Sequence, residues 1–188
     1  YQRRVRGIFL MTENNGMQEK FMNQTNTIEL FMSPTSPIMI TGYQMRDPKA
    51  DIVYFSRGPG FGAEVGDCDL IQGINPQLGI KYVLPKNFLE CNTIASQVQF
   101  QNLTDLPLSN FVLKETHFLK GKKLQEFEFN LIFVPPKTQN SWEHVYEPEF
   151  KKNKQFIAAA LEGPWDVHTR LFISGEEIMH TQAQLSFK

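Results

Sequence analysis

Glu126-Phe127-Glu128-Phe129-Asn130-Leu131-Ile132-Phe133 decides the fold class of this chain. A strand sends successive side chains to opposite faces. Phe127, Phe129, Leu131 and Phe133 therefore share one face, and Glu126, Glu128 and Asn130 turn to water. The helical period of 3.6 would scatter both sets around the axis, so the run from Leu124 to Val134 reads as a strand. Just upstream, Phe111, Leu113, Glu115 and His117 also fall on a single face. A carboxylate and an imidazole thus follow two apolar side chains into the same interior. An unpaired buried carboxylate is costly. Glu115 and His117 must pair with each other, reach solvent at a strand end, or meet a polar group of a ligand.

Working outward, β-rich runs separated by turn-rich ones recur at Ile38 to Met45, Asp51 to Phe55, Ile80 to Leu84, Thr93 to Phe100, Phe111 to Leu119, Trp165 to Ile173 and Ile178 to Phe187. With the Leu124 to Val134 run they make about eight strands, the signature of an all-β sandwich or barrel, and we read the chain as an immunoglobulin-like sandwich. Lys151 to Leu161 is the exception: Phe156 to Leu161 favours a helical turn or two, stopped by Gly163-Pro164. A Gly-rich loop carries Gly58, Gly60, Gly62, Gly66 and Gly73. No Lys-Ser/Thr follows it and no helix is signalled after it, so it matches neither nucleotide fingerprint. The run Ser33-Pro34-Thr35-Ser36-Pro37 marks a boundary. It separates an N-terminal extension, residues 1–37, from a sandwich domain, residues 38–188. The extension is basic at its start and rich in Met; it reads either as a short docking helix or as a loosely ordered arm.

The 188 residues carry 19 basic and 20 acidic side chains, a formal net charge of −1, so there is no electrostatic footprint for a nucleic-acid backbone. Sixteen Phe suit either a large sandwich core or an apolar cavity. Two cysteines, Cys68 and Cys91, are fewer than a secreted sandwich usually carries, which favours a reducing, cytoplasmic compartment. No apolar run approaches the roughly 20 residues that a membrane-spanning helix needs. His117, His144, His168 and His180 show no short ligand spacing, so no metal site is expected. No nucleophile or orienting third residue accompanies Glu115 and His117, so the chain reads as a non-enzyme with no cofactor.

Phe111-Val112-Leu113-Lys114-Glu115-Thr116-His117-Phe118, then Lys120-Gly121, the Phe-Glu-Phe strand, Val134-Pro135-Pro136 and Asn140-Ser141-Trp142-Glu143-His144-Val145-Tyr146 resemble the delta subunit of retinal cGMP phosphodiesterase and its superfamily relatives. Those relatives include the myristoyl-binding "uncoordinated" proteins. Tyr43-Gln44-Met45-Arg46-Asp47, Lys81-Tyr82 with Pro85, Phe88, Leu89 and Cys91, and Ile178-Met179-His180 extend the likeness. Phe-x-x-x-Glu-x-His and Glu143-His144-x-Tyr146 look like the myristoyl branch, whereas Trp142 and Lys120-Gly121 look like the prenyl branch. The prenyl branch has Arg where Ser96 stands and Gln where Glu115 stands, which favours myristoyl-type cargo. The segment 58 to 79 and the extension depart from the family pattern.

The resemblance implies a carrier whose two sheets part around an apolar inter-sheet cavity holding the lipid tail of a lipidated protein, myristoylated or else prenylated. An Arf-like small GTPase would release the cargo, in traffic that includes cilia. The expected lipid contacts are Tyr82, Val98, Phe100, Phe111, Leu113, Glu115, His117, Phe127, Phe129, Leu131, Phe133 and Met179. Of these, Glu115, His117 and Tyr82 would supply the polar contacts. The alternative is a structural or adaptor subunit of a large assembly, docked through residues 1–37, that keeps the fold without lipid transport.

Overall fold

The computed structural model describes residues 32–73, 78–148 and 153–188. Ten strands build it: β1 (Ile38–Asp47), β2 (Ile52–Arg57), β3 (Asp67–Gln72), β4 (Leu78–Leu84), β5 (Ile94–Asn102), β6 (Leu108–Leu119), β7 (Lys122–Val134), β8 (Gln139–Tyr146), β9 (Trp165–Ile173) and β10 (Glu176–Phe187). One sheet runs β2-β1-β5-β8 and the other β3-β4-β10-β9-β6-β7. Neighbours are antiparallel except β4 and β10, which pair in parallel. Packed face to face, the sheets form the immunoglobulin-like sandwich that the alternating pattern implied.

All eight predicted strands are present, most with a residue or two added at an end. Two more occur that the pattern missed. β3 lies inside the Gly-rich segment read as a loop; its Asp67, Asp69 and Gln72 are exposed, and its sheet edge needs no apolar face. β8, at the edge of the other sheet, buries only His144 and Tyr146. Neither has enough β-branched or apolar residues to signal a strand. The remainder of the Gly-rich segment includes a 3₁₀ turn at Pro59–Phe61 that folds back over β1, so a Cβ at Gly58 would lie 2.5 Å from the Gly42 Cα.

Two hairpins close with left-handed pairs. Lys120 and Gly121 (φ 49° and 77°) link β6 to β7, and Ser174 and Gly175 (φ 50° and 86°) link β9 to β10. Two consecutive positive φ values give the turn whose twist matches the strands. The predicted helical segment is α1 (Lys154–Glu162). Asn153 caps it, its Oδ1 accepting from the Phe156 N–H at 2.9 Å, and Gly163 ends it at φ 64°. Phe156 packs edge-on against Trp165 at 5.4 Å, so the helix plugs one end of the sandwich, where Phe88, Trp165 and Phe187 gather. At the other end Phe100 meets Phe111 at 5.6 Å among buried Ile38, Val134 and Ile173. Each such buried side chain contributes about 1.5–3 kcal/mol.

The chain enters β1 through residues that bridge the sheets: Met32 pairs with Met179, and the Ser33 N–H reaches the Ile178 carbonyl at 2.7 Å. Residues 1–31 of the extension lie outside the described residues. Among the described residues no helix is long and apolar enough to cross a membrane.

Candidate functional site: a cavity between the sheets

β6 alternates strictly, burying Phe111, Leu113, Glu115, His117 and Leu119. Leu113, Glu115 and His117 border a cavity between the sheets. Facing them, β1 contributes Ile40, Tyr43 and Met45, β5 Val98, and β8 His144 and Tyr146. Ile80 and Tyr82 of β4, Val167 and Thr169 of β9, Met179, Thr181, Ala183 and Leu185 of β10, and Phe88 complete the wall. The cavity volume is about 80 Å³.

Its polar atoms converge on Glu115. His117 Nε2 lies 2.7 Å from Glu115 Oε1, and the Tyr146 hydroxyl donates to the same oxygen at 2.8 Å. The Trp165 indole N–H donates to His117 Nδ1 at 3.2 Å. Because Nδ1 accepts, the ring's own hydrogen sits on Nε2 and points at the carboxylate. Burial pushes the Glu115 carboxyl up, but the hydrogen bonds from His117 and the Tyr146 hydroxyl, with His144 nearby, outweigh it and hold it below the usual range. Burial, followed by the Glu115 charge, pushes the Tyr43 and Tyr146 hydroxyls well above their ordinary value, so both remain donors. Tyr43 shares a 3.3 Å hydrogen bond with Ser96. Burial lowers His144, whose Nδ1 has no hydrogen-bond partner.

The structure brings Tyr82, Val98, Leu113, Glu115, His117 and Met179 together around the cavity. It places the other predicted residues elsewhere. Phe100 and Phe111 pack on each other in the solid end of the core. Phe127 and Phe129 lie behind the lining, their rings 4.2 Å from Tyr146 and 4.5 Å from His144. Leu131 is half-buried farther along β7, and Phe133 is 55% exposed. The cause is position: β7 is the outer strand of its sheet, so its apolar side meets the edge strand β8 instead of the middle of the opposite sheet. Sequence reasoning missed Tyr43, His144, Tyr146, Thr169 and Thr181 as wall residues. Met179, Thr181, Ala183 and Leu185 alternate on β10, which was a usable signal; His144 and Tyr146 alternate too, on a strand too polar to be seen.

The family model described as GMP-PDE, delta subunit, matches residues 34–187. The chain is 28% identical over 156 residues to protein unc-119 of Caenorhabditis briggsae, covering 80% of this chain and 68% of that one. It is 29% identical over 111 residues to protein unc-119 of Caenorhabditis elegans, covering 57% of this chain and 49% of that one. With human protein unc-119 homolog B it shares 29% identity over 125 residues, covering 65% of this chain and 47% of that one. The match thus spans about half the length of the latter two relatives. A family match reaching from just before β1 to the end of β10 covers both sheets and the whole cavity wall, and by it the chain belongs to the GMP-PDE delta subunit family.

Proposed function

We propose that this protein is a carrier, not an enzyme, that holds the lipid tail of another protein between its two sheets. Family membership and the unc-119 relatives support a lipid-binding carrier. The observation that carries the reading is an apolar cavity at mid-sandwich with a single buried polar cluster on Glu115. Hydrocarbon fills the apolar part, and the cluster receives the polar junction between tail and protein. A buried methylene is worth about 0.8 kcal/mol, so hiding fourteen carbons offsets on the order of 10 kcal/mol of membrane attachment before ordering costs.

A fourteen-carbon chain exceeds the cavity as it stands, so loading must part its walls. β7 and β8 belong to different sheets and meet through Phe127 and Phe129 against Tyr146 and His144, which makes this seam the side that opens. Opening it separates aromatic contacts and leaves the strand ladders intact. In that loaded state Phe127, Phe129 and Leu131 join the wall. We propose an N-myristoyl tail as the cargo, and release by an Arf-like GTPase that favours the empty form, since only differential affinity shifts such an equilibrium. Cytoplasmic traffic, including to cilia, is the setting that the family likeness suggests. A structural subunit that keeps the fold without transport is the second reading, favoured by the small volume of the cavity.

The test is binding of a fluorescent N-myristoylated peptide. Wild type and Glu128→Gln, on the outer face, should bind alike, and Phe129→Glu should abolish binding while remaining folded. Absence of binding to wild type would favour the structural reading.

A further inference from the structure

The outer face of the six-stranded sheet carries a pair of side chains that the cavity does not use. β9 sends Val167 and Thr169 into the cavity wall, and β10 sends Met179, Thr181, Ala183 and Leu185. His168 and His180 alternate with these residues and therefore stand on the opposite face, each of them half-buried. They lie 12 positions apart, a separation that matches no ligand motif, which is why the histidine spacing predicted no metal site. The antiparallel register supplies the proximity instead. His168 lies opposite Gln182 and His180 opposite Arg170, so the two imidazoles are diagonal neighbours on adjacent strands.

The facing atoms are His168 Nδ1 and His180 Nε2, 3.3 Å apart. Two nitrogens bound to one Zn²⁺ at about 2.0–2.1 Å in a tetrahedral arrangement stand about 3.3–3.4 Å from each other. A hydrogen bond to nitrogen or oxygen is ordinarily shorter, about 2.7–3.2 Å. The pair is also held in place. Phe118 meets the His168 ring edge-on at 5.4 Å, and both strands are interior to their sheet, β9 between β10 and β6 and β10 between β4 and β9. The surrounding charge tolerates a cation: Arg170 is tied to Glu177 at 2.8 Å, and Asp166 shares the face two residues before His168.

We infer that His168 and His180 form a two-imidazole binding site for one divalent late first-row transition cation, with Zn²⁺ as its representative. Imidazole nitrogen suits zinc, copper and nickel, whereas Mg²⁺ prefers oxygen ligands. No group of three or more His, Cys, Asp or Glu forms a metal cluster among the described residues, so water fills the remaining coordination positions. The site lies across the sheet from the cavity and does not depend on the carrier reading.

The experiment uses the full chain, free of any histidine tag and stripped of metal, and titrates ZnCl₂ by calorimetry into wild type, His168→Gln and His180→Gln. Wild type should take up one Zn²⁺ per chain and melt about 3 °C or more higher at ten times its Kd, and MgCl₂ should leave the melting temperature unchanged. Each variant should bind at least about tenfold more weakly and lose the shift. Should a variant fail to fold, Cu²⁺ on wild type still decides, because its electron paramagnetic resonance spectrum should show coupling to two imidazole nitrogens. No uptake by wild type, equal affinity in a folded variant, or coupling to fewer than two nitrogens overturns the inference and leaves the pair as a hydrogen bond between β9 and β10.

Discussion

Glu115 shows how far a single residue could be read. The period-two pattern put it in the interior with His117 and left three ways to satisfy it; the structure pairs the two at 2.7 Å and adds Tyr146. That third member sits 31 positions away, and Trp165, which fixes the His117 ring, lies 48 positions from it. Nothing local to either residue announces such a bond, because it depends on which strands the fold brings face to face. A hydrogen bond to a charged group is worth about 1.5–3 kcal/mol, so Tyr146→Phe should lower unfolding free energy by that amount in urea denaturation. A loss below about 0.5 kcal/mol, the usual range for inert surface changes, would mean that the phenol does not support the carboxylate.

At the scale of the element, β6 and β7 carry the same alternation but differ in depth. Alternation reports which side of a strand is apolar; it does not report whether the strand lies in the middle or at the edge of its sheet. Phe111 on β6 is 1% exposed and Phe133 on β7 is 55% exposed, although the sequence put both in the lining. Phe111→Ala should cost about 3–5 kcal/mol, whereas Phe133→Ala should stay within about 0.5 kcal/mol. Equal losses in a denaturant series would contradict the edge position of β7. The same blindness hid β3 and β8, whose outward residues are polar because edges face water. The α1 helix was legible because its stop, Gly163-Pro164, is written in residue types with no other ready use. Its start was less so: Asn153→Ala should cost about 1 kcal/mol through loss of the cap on Phe156, measurable by thermal melting.

For the whole molecule, stability should respond to acid in two stages. Burial holds His144, His168 and His180 below their ordinary value of 6.5, and His168 and His180 are cross-strand neighbours at 3.3 Å on the outer face. As pH falls through 6.5, the unfolded chain binds protons that these folded imidazoles resist, so stability declines. Glu115, held below its ordinary 4.5 in the fold, adds a second decline as pH drops beneath that value. Urea midpoints at pH 7.5, 5.5 and 4 should fall in that order; an unchanged midpoint between the first two would contradict the histidine assignment.

The parallel union of β4 with β10 has a consequence for synthesis. β10 lies in the middle of the six-stranded sheet, between β4 and β9, yet it is made after the other nine described strands. Until residues 176–187 clear the ribosome, β3 and β4 cannot dock onto the rest of their layer, and the nascent chain holds an open groove with its oily floor bared. Assembly of this sandwich therefore waits on residues 176–187, and a chaperone or a passing hydrophobic chain meets the unfinished groove first.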